Sequence, residues 1–175
     1  FEEVNHKYTL SSEPTLDFIS CTEFIESFFE LFEPKKIATK LVNDIPKYQD
    51  RTIESLMKEW EKAAQDGIAV HKEMEKYINS NIVPNSSKGL QGVEWFKSYN
   101  DNISLEYLTE VVVYNKQLGI AGMIDLISYN PIRNTYSIID WKTNKKIDKN
   151  SYQGRTGIKP PTFGLMDCRY IRYSL

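Results

Sequence analysis

Three charged residues interrupt two short apolar runs in the second half of the chain: Asp125, Asp140 and Lys142. If the turn at residues 130–134 is symmetric, Asp125 lies opposite Asp140 on neighbouring strands, with Cβ atoms about 4.5–5.5 Å apart. Lys142, two residues further on, shares their face. Two carboxylates this close repel each other unless a cation lies between them, and Mg²⁺ or Mn²⁺ prefers such oxygen donors. The spacing therefore predicts a divalent-metal site.

Glu110 is a third carboxylate that the strand pattern directs to the same place. If the chain turns tightly at residues 115–117, Glu110 lies opposite Met123, on the face of Asp125 and within one row of it. We therefore expect Glu110 to be a further candidate oxygen donor.

An imidazole precedes these strands on a predicted helix. Gly67, His71 and Glu75 are four residues apart and so lie on one stripe of that helix. A neutral imidazole nitrogen of His71 can bind a metal ion. A glycine costs about 1 kcal/mol in a helix interior, so Gly67 indicates that another part of the chain approaches closely there.

Each of these residues also has a plain structural interpretation. An Asp–Lys ion pair on the solvent face of a sheet would account for the strand charges, and Glu110 would then be a polar residue of that solvent-exposed face. His71 would be an ordinary polar side chain of a helix. The bulky residues around the acids favour the metal site, because they indicate a sheet whose other face is buried, with Trp141 pointing into the core.

Hydrophobic periodicity predicts the elements that hold these side chains. Ser20 and Glu23 have capping-box spacing ahead of an apolar helix that ends before Pro34. Apolar residues at three- and four-residue steps predict one long helix from Thr52 to about Ile78. The other predicted elements are a strand at 6–10, a short helix at 92–99 within a loop, and strands at 105–114, 119–129 and 135–142.

Helices lead and strands follow, and short turns join the last three strands as an antiparallel meander. This order predicts a mixed α/β fold with helices packed on a twisted sheet. The chain has 175 residues, of which 41% are hydrophobic, enough to bury one core. We therefore interpret residues 1–175 as a single domain.

The motifs resemble a known series. Gly67-x-x-x-His71-x-x-x-Glu75, Glu110, Gly122-x-x-Asp125 and Asp140-x-Lys142 are similar to the motifs of the PD-(D/E)XK nucleases, in particular the RecB-like branch. The opening His6-x-Tyr8 and the Ser20 cap are similar to viral and phage-type members.

This resemblance implies a restriction-endonuclease-like core, in which helices pack on a mixed sheet. It implies His71, Asp125 and Asp140 as ligands of one or two Mg²⁺ or Mn²⁺ ions, with the main-chain carbonyl of Ile139 as a further oxygen. It implies that Lys142 orients or activates the attacking water.

The chain departs from the family in two respects. The branch normally continues with a helix bearing Gln-x-x-x-Tyr, and this spacing does not follow Lys142. We therefore expect that helix to be missing, because the chain is a fragment or because the protein lacks it. Iron–sulfur members need four cysteines, and the two present here predict no iron–sulfur cluster.

Charge is distributed unevenly along the chain. The net charge is −2, but residues 142–175 hold eight Lys or Arg against two Asp, which gives +6. A solvated surface is one interpretation of such a run. The resemblance favours contact with phosphates beside the scissile bond, by residues Lys145, Lys146, Lys149, Arg155 and Lys159.

The sequence as a whole therefore predicts a metal-dependent deoxyribonuclease, an exonuclease of DNA repair, recombination or replication that acts on single- or double-stranded DNA. The alternative is a catalytically inactive nuclease-fold module that binds nucleic acid or protein. A metal-dependent phosphatase is disfavoured by the basic stretch. No motif identifies a helicase or other replication partner.

The sequence also bears on location. It contains no run of about 18 uncharged apolar residues and no recognisable signal peptide. We therefore expect a soluble intracellular protein without a membrane partner.

Overall fold

The computed structural model describes residues 7–100 and 104–144. This part of the chain has the mixed α/β class that the sequence predicts, with helices and a mixed sheet. The helices are α1 Cys21–Glu26, α2 Pro34–Asp44, α3 Ile53–Ser80 and α4 Ser87–Tyr99, with a 3-10 turn at Pro46–Tyr48. The strands are β1 Ile19–Ser20, β2 Glu106–Asn115, β3 Ile120–Asn130 and β4 Thr135–Ile139.

Helix α1 begins as predicted and ends early. The Ser20 hydroxyl accepts a hydrogen bond from the Glu23 N–H at 3.0 Å, and the Glu23 carboxylate accepts one from the Ser20 N–H at 2.7 Å, which confirms the capping box. The helix ends at Glu26, where the N–H groups of Phe28 and Phe29 bond to carbonyls three residues back. This tighter pattern is typical of a helix terminus. The predicted continuation towards Pro34 is therefore wrong.

Two further N-terminal features differ from the prediction. Pro34 stands at the start of α2, where its missing N–H is not needed and its fixed φ suits the helix. Pro34 was predicted only to follow the end of a helix, so α2 is a helix that the sequence did not predict. The predicted strand at 6–10 is also wrong over its described residues, which form isolated bridges, one of them between Leu10 and Glu13.

Helices α3 and α4 each begin at a side-chain cap. Thr52 caps α3 by accepting a hydrogen bond from the Ser55 N–H, and Asn81 ends the helix with a φ of 55°. The predicted long helix is thus confirmed. Helix α4 begins earlier than the predicted residue 92, because the Ser86 hydroxyl accepts a hydrogen bond from the Gly89 N–H and caps an additional turn.

Strand β3 is the centre of the sheet. Strand β2 pairs with it antiparallel on one side, while β1 (parallel) and β4 (antiparallel) pair with it on the other. The predicted antiparallel meander is therefore confirmed, with strand bounds shifted by one or a few residues.

The two turns of the meander decide its register. The β3–β4 turn is symmetric as predicted, since Ile138 pairs with Ile127. The β2–β3 turn spans residues 116–119 and ends in Gly119, with a φ of 62°, so it is longer than predicted. Met123 consequently pairs with Val112, and the predicted pairing of Met123 with Glu110 is wrong by two residues.

The core lies between the sheet and helices α3 and α4. Its buried centre consists of Met74, Val93, Phe96 and Leu126. Trp141 packs against this cluster, as predicted, and its ring meets that of Trp95 edge-on with centroids 5.4 Å apart. Asp125, the neighbour of Leu126 in β3, is also largely buried, with its side chain 12% exposed and in contact with His71 of α3.

Among the helices of the described residues, none combines the length and apolar character that a bilayer crossing requires.

Candidate metal centre and the segment beside it

The candidate acids form one row across the meander. Glu110 stands between two residues of β2 whose partners flank Asp125, so it lies opposite Asp125. Ile139 pairs with Leu126 at the end of β4, and one further step in the same register brings Asp140 opposite Asp125. Glu110 is thus closer to Asp125 in register than the sequence analysis predicted, since it shares its row.

Glu110 has an unusual backbone for a strand residue. Its φ is 50°, in the left-handed region, and it interrupts the ladder between β2 and β3. This conformation costs a residue with a side chain about 1–2 kcal/mol. Backbone strain of this kind tends to occur where a side chain must be aimed at a functional site.

His71 completes a three-residue cluster with the strand acids. One ligand atom from each of His71, Glu110 and Asp125 lies within 4.8 Å of the other two. The Nδ1 atom of His71 is 3.4 Å from Oδ1 of Asp125. The side chains of His71 and Asp125 are 30% and 12% exposed, so both are largely buried and retain some access to solvent.

The surroundings of the cluster shift the pKa values of His71 and Asp125 in opposite directions. The hydrogen bond to Asp125 raises the pKa of His71, and the carboxylates of Glu110 and Asp140 add to that effect against the opposing burial. Burial works to raise the pKa of Asp125, but the hydrogen bonds from His71 and the Trp141 N–H outweigh it and leave that pKa below its ordinary value. The centre therefore favours an ionised Asp125 beside a positive charge.

Asp140 and Lys142 lie next to this cluster and contact each other. The Nζ atom of Lys142 is 2.5 Å from Oδ2 of Asp140, which is 49% exposed. The N–H of Trp141, between them, donates a hydrogen bond of 2.7 Å to Oδ2 of Asp125. The main chain at Trp141 is thus fixed to the cluster, with Asp140 and Lys142 on either side of it.

The segment of residues 140–144 is also fixed from the two helices. A Cβ atom added to Gly67 of α3 would lie 3.2 Å from Oγ1 of Thr143, which confirms that another part of the chain approaches this glycine. Lys88 of α4 donates a hydrogen bond of 2.6 Å from Nζ to the carbonyl of Thr143. These contacts hold the segment that carries Asp140 and Lys142 against α3 and α4.

The structure thus brings His71, Glu110 and Asp125 into one cluster, whereas Asp140, also predicted as a metal ligand, lies beside that cluster in an ion pair with Lys142. Ile139, the predicted carbonyl donor, ends β4 next to Asp140, and its side chain packs on the core. The predicted DNA-binding residues lie outside the described part of the chain: Lys145, Lys146, Lys149, Arg155 and Lys159.

Two residues near the site were not predicted to belong to it. Lys88 stands in a polar stretch whose spacing gives no sign of its contact with Thr143. Tyr8 is buried; its pKa is raised by burial and by the nearby charges of Cys21 and Glu110. The pairing of His6 and Tyr8 in the resemblance was the only signal that pointed to Tyr8.

The donor set of the cluster suits a divalent cation. Opposite ligands of an octahedral Mg²⁺ ion are about 4.2 Å apart, twice the bond length of about 2.1 Å. The 4.8 Å limit that contains the three ligand atoms is close to this span, so small side-chain movements would bring them onto one ion. The carboxylate oxygens suit Mg²⁺ or Mn²⁺, and the imidazole nitrogen favours Mn²⁺, a transition ion, over Mg²⁺.

Comparisons of the chain with models of protein families, with curated proteins and with solved structures gave no match in any of the three.

Proposed function

We propose that the protein is a divalent-metal-dependent deoxyribonuclease with a restriction-endonuclease-like core. The observation that carries the proposal is the convergence of His71, Glu110 and Asp125 within 4.8 Å, beside the adjacent Asp140–Lys142 pair. Carboxylates, an imidazole and one lysine at a single place are groups that can hold a divalent cation and stabilise the charge that develops in phosphodiester hydrolysis.

In this proposal His71, Glu110 and Asp125 hold Mg²⁺ or Mn²⁺. When bound, the cation supplies a Lewis acid for a phosphate oxygen and lowers the pKa of a neighbouring water. Asp140 joins the ligands by leaving Lys142, a change favoured because Asp140 is half exposed and a divalent ion attracts it more strongly than an ammonium does.

Lys142 acts on the reacting atoms in this proposal. Its ammonium repels a cation but can donate hydrogen bonds to the attacking water or to a phosphate oxygen. The Trp141 N–H bond to Asp125 and the Lys88 bond to Thr143 keep Lys142 beside the centre. The lysine is therefore positioned from both sides of the segment.

The substrate in this proposal is DNA, cut from an end during repair, recombination or replication. The excess positive charge of residues 142–175 supports a polyanionic substrate, because cationic side chains gain free energy by releasing the counterions of phosphates. The proposal also places the protein in solution inside the cell, where such DNA is found.

The proposal is tested by digestion of end-labelled linear DNA and of circular DNA with Mg²⁺, with Mn²⁺ and with EDTA. We expect cleavage only with metal, with linear DNA preferred, and its loss in Asp125→Asn and Asp140→Asn. Asp66→Asn is the matched control, because this exposed carboxylate of α3 pairs only with Lys62 among the contacts described for it. Circular dichroism checks that each variant is folded.

Two results would contradict the proposal. An Asp125→Asn variant that cuts at the parental rate would remove the metal centre from the reaction. DNA binding by the parent without any cleavage, under every metal condition, would favour the alternative of an inactive nuclease-fold binding module.

A further inference from the structure

A groove of about 490 Å³ opens beside the candidate centre, between α3, α4 and residues 139–144. Its polar and aromatic lining residues include Lys88, Gln91, Trp95, Asp140, Trp141 and Lys142. The volume is within the range of about 300–1,000 Å³ that is typical of small-molecule sites, and it is far too small for a duplex. The groove therefore suits a single residue of a larger ligand.

An aromatic group forms one wall of this groove. Trp95 stacks on Tyr99 with ring centroids 5.0 Å apart and an interplanar angle of 12°, and it meets Trp141 edge-on. Trp95 is nevertheless 43% exposed, although Trp141 beside it packs against the core. An indole held rigid by two other rings and still open to the solvent is a platform on which a planar ligand can stack.

Basic and amide groups surround this platform. Lys88 uses one donor on the Thr143 carbonyl at 2.6 Å, and an ammonium carries three. Lys142 and Asp140 line the groove and also stand beside the metal cluster. A ligand with a planar ring and a negative group would therefore satisfy the wall, the lysines and the adjacent centre together.

We propose that this groove binds one unpaired nucleotide of the DNA strand, with its base stacked on Trp95 and its phosphate near Lys88 and Lys142. The inference rests on the proposed function and makes it more specific, since it assigns a single-stranded segment to the substrate at the site of cleavage. Stacking on an aromatic side chain accepts every base, so the groove fixes the strand without reading its sequence.

The test measures binding without cleavage. A fluorescein-labelled short oligodeoxythymidine is titrated in EDTA, and fluorescence anisotropy gives its affinity. The titration is repeated with oligonucleotides that carry one abasic residue at each position in turn. We expect one position at which the abasic residue weakens binding to the parent protein about tenfold, since a stacked base contributes a factor of roughly 5 to 150.

Variants assign that position to the groove. In Trp95→Leu the intact oligonucleotide should bind about tenfold more weakly, and the abasic residue should cause no further loss. Trp95→Phe should retain most of the affinity. Phe32→Leu is the matched control, because Phe32 is an exposed aromatic residue that contacts Trp60 and does not line the groove.

A second variant guards against misfolding of Trp95→Leu. Gln91→Trp fills the groove from α4 and leaves the aromatic wall intact, so it should weaken binding while the thermal unfolding temperature stays near that of the parent. The inference is overturned if no abasic position affects the parent, if Trp95→Leu keeps the abasic penalty, or if Gln91→Trp binds as the parent does.

These outcomes are separate from those of the proposed function. If Asp125→Asn loses cleavage but no abasic residue affects binding to the parent, the nuclease proposal is supported and the nucleotide groove is contradicted. If an abasic residue weakens binding but the protein never cuts DNA, the groove is supported as a nucleic-acid site and the nuclease proposal is contradicted.

Discussion

The close approach of Gly67 and Thr143 gives a quantitative test of how the segment with Asp140 and Lys142 is held. Replacing a glycine by alanine in a helix interior stabilises the helix by about 1 kcal/mol. For a chain of 175 residues, this change corresponds to a rise of about 2–4 °C in the unfolding temperature. At Gly67 the new methyl group would lie 3.2 Å from Oγ1 of Thr143, so Thr143 must move by a few tenths of an ångström.

We therefore expect Gly67→Ala to gain less than 1 kcal/mol in the free energy of unfolding. The displacement is passed to Lys142, the neighbour of Thr143, and should lower the rate of DNA cleavage. In the Thr143→Ala background the hydroxyl is absent, so Gly67→Ala should there gain the full amount of about 1 kcal/mol. The difference between the two gains is the coupling energy of the pair.

The assay combines thermal unfolding of the parent, both single variants and the double variant with single-turnover cleavage by the same four proteins. Equal stabilisation by Gly67→Ala in both backgrounds would refute the reasoning, because it would mean that Thr143 does not limit the space at this position. If Gly67→Ala cleaves DNA at the parental rate, the movement of Thr143 does not displace Lys142, and only the stability part of the prediction holds.

Three further predictions concern the same centre. Metal affinity, measured by calorimetry, should fall as the pH drops through the raised pKa of His71, since only neutral imidazole binds a cation. In the metal-free protein, the stability that protonated His71 contributes should be lost as the pH rises through the same pKa. A flat affinity profile in this range would remove His71 from the ligands. Glu110→Gly should be more stable than Glu110→Ala by about 1 kcal/mol in chemical denaturation, because glycine accepts a positive φ, while both should weaken metal binding; equal stability would contradict the strained backbone. Joint neutralisation of Lys145, Lys146 and Lys149 should reduce the slope of log affinity for DNA against log salt by about 2–3. An unchanged slope would mean that these lysines are solvated and do not contact DNA.

Local patterns were sufficient for the elements that carry the site. The capping box at Ser20 and the periodic helix after Thr52 were predicted because hydrogen bonds and apolar spacing within a few residues determine them. The symmetric turn after Asn130 likewise fixed the register of β3 and β4 from the sequence. Helix α2 was missed because Pro34 is compatible with both the end and the first turn of a helix, and local sequence does not decide between them.

The sequence by itself therefore determined which residues could do chemistry and the elements on which most of them lie. Only the tertiary structure decided how they meet. The longer turn at Gly119 moved Glu110 into the row of Asp125, where its backbone has a φ of 50°. The contact of His71 with Asp125 and the groove beside Trp95 join elements distant in sequence, and such contacts depend on how helices pack on the sheet, which periodicity within one element does not specify.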